Sequence, residues 1–427
     1  MNAKAIANGG ATKLRSEEDT VRFTQTIKGH ILLGTGSWIC KVEPTGMIKS
    51  LIISVLTIFL VAQLGFANAK RARGWGIPFE GAPGKFNAIT DVSGVAVGHA
   101  TIVKGSGSLR IGKGPVRTGV TAILPTGHDY RPVFASYSSL NGNGEMTGTA
   151  WIDESGFLEE PILFTNTHSV GAVYEASIHW RRARSFHNSD TETGWASLPV
   201  VGETWDGRLN DIHGHHVKRK HVLEALDAAQ GGPIAEGNVG GGTGMVCHQF
   251  KSGIGTASRI TRGGYTLGAI VQANYGRRED LTIAGVRVGL RFNDLMPEIH
   301  SSPQSGEGNS ILVVIATDAP LLPHQLKRLC RRVPLGIGRT GGYGANSSGD
   351  FFLAFSTTTV EKTENEDLHR VTMLDNASID QLFQATIQAT EEAILNALTA
   401  AETMEGINGT VIHALPMQRV AEALGVN

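Results

Sequence analysis

Gly308-Asn309-Ser310-Ile311-Leu312-Val313-Val314-Ile315 is the stretch on which the reading of this chain turns. A loop of small and polar residues, Ser301-Ser302-Pro303-Gln304-Ser305-Gly306-Glu307-Gly308-Asn309, ends at a hydroxyl residue. That residue opens a β-branched apolar run suited to a buried strand. Read blandly, this is a turn entering a core strand, since Gly-Asn-Ser is ordinary turn chemistry. Read chemically, it is the layout of a self-cleaving precursor. A cut between Asn309 and Ser310 would make Ser310 a chain terminus carrying nucleophile and base on one residue. Its hydroxyl attacks, and its α-amine, with an unperturbed pKa of about 7.7–8.0, accepts the proton at neutral pH.

Around that stretch the chain has 427 residues, enough for one large core or two modest ones. Its 54 glycines are nearly twice the usual share while the apolar fraction is ordinary, so turns and close backbone approaches are expected, not disorder. A formal net charge of -1 gives no reason to expect nucleic acid or an anionic membrane as partner. Met47-Ile48-Lys49-Ser50, the apolar run Leu51 to Leu64 and Gly65-Phe66-Ala67-Asn68-Ala69 form a basic start, a short apolar core and an Ala-x-Ala ending. This predicts a signal peptide over 47–69 and a periplasmic or secreted product; the run is short for a membrane span. Residues 1–46 then read as an upstream extension, with translation starting at Met47. Beyond Ala69 two cysteines remain, Cys247 and Cys330, in apolar or helical settings that suit buried free thiols better than a disulfide.

Strands are expected over 90–99, 119–125, 266–272, 310–317 and 351–356. Helical spacing runs through 159–180, with helices at 220–229 and 321–332. Ser378-Ile379-Asp380-Gln381 fits a capping box opening a long helix to about Ala400. Strands and helices mix without regular βαβ alternation, which predicts an α+β layered domain, not a doubly wound sheet.

Several motifs compete for the chemistry. The glycine run 237–244 lacks the Lys-Ser/Thr ending of a phosphate loop and reads as tight turns. His213-Gly214-His215-His216 with His221 lacks the carboxylate or cysteine that would close a metal site, so it reads as a solvated loop. Cys247-His248 are adjacent on an expected strand and would point to opposite faces, against a thiolate pair. No metal or cofactor is called for. Three groups remain that could each be a turn: Glu203-Thr204-Trp205-Asp206-Gly207, Gln272-Ala273-Asn274-Tyr275-Gly276 and Asn346-Ser347-Ser348-Gly349-Asp350.

Taken together, these groups are recognisable. With Gly76-Ile77-Pro78-Phe79-Glu80-Gly81, Ile89-Thr90-Asp91-Val92, Val97-Gly98-His99, Asn141-Gly142-Asn143-Gly144-Glu145, the run Cys247 to Arg259, Asn309-Ser310 and the run Ala316 to Gln325, they cover nearly the whole region after Ala69. The chain resembles the peptidase family of the L-aminopeptidase/D-Ala-esterase-amidase and the β-peptidyl aminopeptidases, relatives of the nylon-oligomer hydrolases.

The resemblance implies a single catalytic domain, a four-layer αββα sandwich, that cuts itself into an α chain (70–309) and a β chain (310–427) and assembles as a homotetramer. It implies Ser310 as nucleophile, Asn309 as donor of the carbonyl at the cut, and Ser348 with Asp350 as the pair that orients the terminal amine. Some members have Glu where this chain has Asp350, so the shorter arm alters the hydrogen-bond geometry. Asn274 is implied in holding the oxyanion, Glu203 in pairing with the substrate's ammonium, and Trp205 in lining the pocket. The activity expected is release of N-terminal residues from short peptides, amides or esters with a free amine. Other amides such as polyamide oligomers are an alternative, as is a non-catalytic, glycine-rich periplasmic binding protein.

Overall fold

The apolar run after Ser310 is a strand buried on both faces, and its alternation defines the layers on either side. The computed structural model describes residues 71–129, 131–184, 198–300, 309–358, 360–362 and 367–426. The expected signal peptide, the upstream segment, Cys40 and the loop 301–308 lie outside them. Strands β1 (Ala96–Lys104), β2 (Val116–Leu124), β3 (Val133–Gly142), β4 (Phe157–Leu158), β5 (Ile162–Asn166) and β6 (Val200–Thr204) come first. A short hairpin, β7 (Val246–Cys247) and β8 (Phe250–Lys251), follows. Then come β9 (Ile254–Ile260), β10 (Thr266–Asn274), β11 (Asn309–Thr317) and β12 (Ser348–Ser356).

Four strands form one sheet in the order β1-β2-β5-β6, and six form the other in the order β4-β3-β12-β11-β10-β9. Pairing is antiparallel except for β5 with β6 and β11 with β12. On β11, Leu312, Val314 and Ala316 join Ile123, Phe164 and Val200 of the smaller sheet in a core between the sheets. Ile311, Val313 and Ile315 face the other way. They meet helices α4 (Pro323–Cys330), α5 (Val333–Arg339) and α6 (Asp380–Thr399), through side chains such as Leu326, Ile337 and Ile394. The far face of the smaller sheet packs Ala122, Leu163 and Val201 against Val173 and Trp180 of α2 (Val170–Ala183) and Leu226 of α3 (Arg219–Asp227). Three cores separate four layers, helix–sheet–sheet–helix, so the domain is an αββα sandwich of α+β class. The short helix α1 (Thr149–Ser155) packs beside β3 and β4.

Several expectations are corrected. Residues 90–99 are not one strand: Ile89–Asp91 is a 3₁₀ turn and β1 begins only at Ala96. The helical spacing over 159–180 concealed β5, because a five-residue apolar run fits a buried strand as well as a helix segment. The capping box does not form. Ile379 takes the N-cap position of α6, and Ser378 ends a 3₁₀ turn that Asp375 caps by accepting the Ala377 N–H at 3.0 Å. The helix expected over 321–332 is α4, somewhat shorter at both ends, and a separate helix, α5, that sequence reading did not anticipate follows from Val333. His248 does not lie on a strand: with Gln249 it makes the two-residue turn between β7 and β8, both at positive φ (48° and 59°).

Candidate active site

Strand parity fixes where Ser310 looks. It shares a face with Leu312 and Val314, so its hydroxyl projects between the two sheets and is 5 % exposed. Across the antiparallel β10–β11 ladder its direct partner is Asn274, the last residue of β10, on the same face. On the other side Ser310 stands level with Gly349 of β12, whose N–H donates to Ser310 Oγ at 3.3 Å. Asn309 and Ser310 are therefore both strand residues, with Asn309 beside Ser348 and its amide donating to Ser347 Oγ at 3.3 Å.

Ser348 and Asp350 bracket Gly349 and look to the opposite, helix-covered face with Phe352. Ser348 Oγ donates to Asp350 Oδ1 at 2.6 Å, and Asn141 Nδ2 of β3 donates to Asp350 Oδ2 at 3.1 Å. The Ile311 N–H also reaches this carboxyl, one peptide on from Ser310. Burial pushes the Asp350 pKa up, and these donors pull it part of the way back. A hydroxyl–carboxylate pair thus flanks Ser310 on the neighbouring strand, level with Asn309 and Ile311 and bonded to the backbone one residue on.

Asn274 is held on both ends of its amide. Its Oδ1 accepts the Val246 N–H at 2.8 Å, and its Nδ2 donates to the Trp205 carbonyl at 2.9 Å. The wall behind it is the glycine run. Gly240–Gly242 forms a 3₁₀ turn, and an added Cβ on Gly242 or Gly244 would collide with backbone. Close packing against other backbone accounts for these glycines, in line with the tight turns expected. Beneath the wall lies Lys251, fully buried. Its Nζ donates to Gly242 O at 3.4 Å, to Met245 O at 2.9 Å and to Ser252 O. Three carbonyls satisfy the three protons of an ammonium, although burial drives its pKa well down. Sequence reading gave Lys251 no part; nothing local distinguishes a lysine that points inward.

Glu203, at the end of β6, is 3 % exposed. Its Oε1 accepts the Glu145 N–H at 3.0 Å, and Oε2 accepts the Thr167 hydroxyl. Burial raises its pKa, opposed by those two bonds and assisted by the neighbouring charge of Glu145. The turn it holds is the Asn141–Glu145 segment. An ideal Cβ on Gly144 would lie 2.8 Å from Glu203 Oε1 and 3.3 Å from Gly349 Cα, so this acid reaches the β12 side of Ser310 through a glycine. Glu145 itself is exposed. It is a second acid on this turn, which the sequence displayed within a motif but left unassigned.

An open cleft of about 370 Å³ is lined by Trp205, Arg208, Gly244, Val246, Asn274 and Asn309, among others. A second of about 350 Å³ is lined by Tyr275, Arg277, Asn309, Tyr343, Ser348 and Asp350. Asn309 borders both, so the Asn309–Ser310 peptide lies where they meet. The structure thus gathers Asn274, Asn309, Ser310, Ser348 and Asp350, places Trp205 in the cleft wall, and keeps Glu203 buried behind Gly144. The histidine loop is elsewhere: His216 pairs with Asp211 at 2.8 Å, and His168, His213 and His215 lie near one another, with no metal-holding group among the described residues. Cys247 and Cys330 are free and buried, and burial pushes both thiols up to about 12, which makes them inert as nucleophiles at neutral pH.

Known proteins share this architecture. A β-peptidyl aminopeptidase from Sphingosinicella microcystinivorans is 46 % identical over 377 residues, 85 % of this chain and 94 % of that one. A solved Burkholderia sp. β-aminopeptidase is 47 % identical with a TM-score of 0.74, covering 83 % of this chain and 98 % of that one. The L-aminopeptidase D-Ala-esterase/amidase of Ochrobactrum anthropi, described as a prototype for the serine aminopeptidases and a variant of the Ntn hydrolase fold, is 45 % identical with a TM-score of 0.77. It covers 83 % of this chain and 98 % of its own. Residues 87–412 match peptidase family S58, which sets aside a non-catalytic binding role. The chain belongs to peptidase family S58 and is a peptide hydrolase of the aminopeptidase type.

Proposed function

We propose that this protein is an exported, self-processing serine aminopeptidase whose nucleophile is Ser310. The observation that carries the proposal is a juxtaposition: Ser310 lies near the start of a buried strand with Asn274 directly across and the Ser348–Asp350 pair on the neighbouring strand beside it. In the precursor, Ser310 Oγ attacks the Asn309 carbonyl carbon. The Asn309–Ser310 C–N bond breaks as the acyl group moves to oxygen, and the nitrogen gains the hydroxyl proton. Water then hydrolyses the ester, leaving a carboxylate on Asn309 and a free amine on Ser310.

In the processed enzyme that amine takes the hydroxyl proton as Ser310 attacks the substrate carbonyl. It then returns the proton to the departing amine, and water clears the acyl ester. Ser348 and Asp350 orient and tune the amine. The Asn274 amide stabilises the oxyanion, a contribution of about 3–4 kcal/mol for such a donor. The substrate's ammonium is held on the acidic side formed by Glu203 and Glu145, which selects free N-termini over blocked ones. The likeness to relatives named as β-peptidyl aminopeptidases supports β-amino-acid peptides as the substrates. Export through the 47–69 segment and assembly as a homotetramer complete the proposal.

Mass spectrometry and a denaturing gel test the central step. Purified protein is expected as two fragments, the smaller starting at Ser310, and Ser310→Ala as one inactive chain. Active, uncut wild-type protein would overturn the mechanism. Glu203→Ala is expected to erase the preference for free over N-acetylated substrates, and an unchanged preference would remove its role.

A further inference from the structure

We propose that His248 is a positioning residue for the reaction: its ring fixes the backbone of residues 275–277 and so aims the Asn274 amide at Ser310. This rests on the aminopeptidase reading and names what holds its oxyanion donor in place. Asn274 is the last residue of β10 and stands directly across from Ser310, so the strand ladder fixes the chain leading up to it. Beyond Asn274 the strand ends, and there the turn between β7 and β8, made by His248 and Gln249, takes hold of the chain.

The grip falls on successive residues. The His248 N–H donates to the Tyr275 carbonyl at 2.6 Å, and Nδ1 lies 2.9 Å from the Arg277 carbonyl. Between them Gly276, at φ 86°, lies against the imidazole: an ideal Cβ there would come within 2.5 Å of the ring. Gly276 also borders both clefts, so the ring stands directly behind a residue they share. A carbonyl can only accept, so Nδ1 carries the proton and Nε2 keeps a lone pair. Nε2 is buried without a hydrogen-bond partner among the described residues, which suits a neutral ring, and burial lowers the pKa to about 4. The turn itself is pinned. Arg278 donates to the His248 carbonyl at 3.1 Å and to the Gln249 carbonyl at 2.7 Å, while Gln249 Oε1 accepts the Arg278 N–H at 3.1 Å. Val246 of the same hairpin donates to Asn274 Oδ1 at 2.8 Å. The hairpin thus holds Asn274 by its side chain and by the backbone that follows it. A ring kept for packing alone would need no proton aimed at a carbonyl.

The test measures kcat and KM on β-alanyl p-nitroanilide for wild type, His248→Ala and His248→Asn, per mole of fragment beginning at Ser310, so that unprocessed chain is not counted. His248→Ala is expected to lower kcat roughly tenfold or more with KM little changed, because the interaction lost acts in the transition state. Asparagine tolerates the positive φ and carries an amide N–H where Nδ1 lies, so His248→Asn is expected to return kcat to within about threefold of wild type. A kcat unmoved by His248→Ala, a loss carried by KM instead, or an asparagine variant no better than alanine would overturn the assignment. Histidine 15N NMR of the wild-type enzyme decides the same point should the alanine variant fail to fold. The signal missing from His248→Asn is expected to show a protonated Nδ1 and a bare Nε2, and the opposite tautomer would overturn the assignment. Failure of wild type to turn over the substrate would instead sink the aminopeptidase reading itself.

Discussion

Asp206 is the carboxyl whose surroundings conflict most with a charge. It is fully enclosed, and burial raises its pKa from 3.8 to about 7 against the pull of Thr118, Asn210 and Asn166. Its Oδ2 lacks a hydrogen-bond partner among the described residues, and so does the Asn166 amide oxygen. The folded protein therefore keeps a proton here up to about pH 7, while the unfolded chain releases it near the ordinary carboxylate range. Between those values the native state binds more protons, so this group's contribution to stability falls as pH rises from about 4 to about 7 and is flat above. Asp206→Asn removes the dependence and supplies a donor. It is expected to be more stable than the parent at pH 8, by up to about 4 kcal/mol, with the gain gone near pH 4. Urea midpoints at the two pH values check it, and a difference of equal size at both would refute the buried-charge account. The sequence showed Asp206 beside Trp205 but could not show its enclosure, which comes from β2 and β5, strands distant in the chain. The same limit hid the full engagement of Glu203, although the residue itself was legible as part of the site.

At the scale of elements, what could be read from sequence was whatever carries its own period. The continuous apolar run after Ser310 and the long helix α6 were plain, because burial on both faces or on one stripe is written into local spacing. Asn274 was legible as the end of a strand, whereas Ser348 and Asp350 looked like turn residues and proved to lie in the first residues of β12. Their partners, β11 and β3, are supplied by register, which no local window contains. The glycine wall was legible as packing but not in its purpose, since the collisions that exclude a Cβ come from other elements. Its anchor is Lys251, and the prediction follows from its three carbonyl acceptors. Lys251→Met removes the donors and leaves those carbonyls buried without partners, at about 1–3 kcal/mol for each group not resatisfied. We expect a loss of about 2–5 kcal/mol in unfolding free energy. Because Val246, in the same segment, donates to Asn274, kcat should fall more than KM rises in the folded fraction. Urea titration and steady-state kinetics read the two effects separately. Loss of stability with kcat untouched would show that Lys251 braces the wall without aligning Asn274.

The molecule as a whole constrains what a cut at Asn309 can do. Cleavage would assign β10 to one fragment and β11 to the next, yet these are adjacent, fully paired strands in the middle of the six-stranded sheet. Residues 310–427 would take β11, β12 and α4 to α6, which supply material to both faces of that sheet. Leu312, Val313, Val314 and Ile315 are each fully buried and on that strand alone represent roughly 6–12 kcal/mol of apolar burial. Charge reinforces the join. Glu392 on α6, itself fully buried, pairs with Arg73 and with buried Arg259, each at 2.7 Å, and both arginines would belong to the other fragment. Pulling the fragments apart would strand a buried carboxylate from its cations and expose two cores at once. The processed fragments are therefore expected to co-elute in native size exclusion and to share one cooperative melting transition, separating only in denaturant. Glu392→Gln should lower that transition by several degrees while cleavage still proceeds. Fragments that part in mild native buffer, or that melt independently, would mean that the sheet does not hold the two halves as one folding unit.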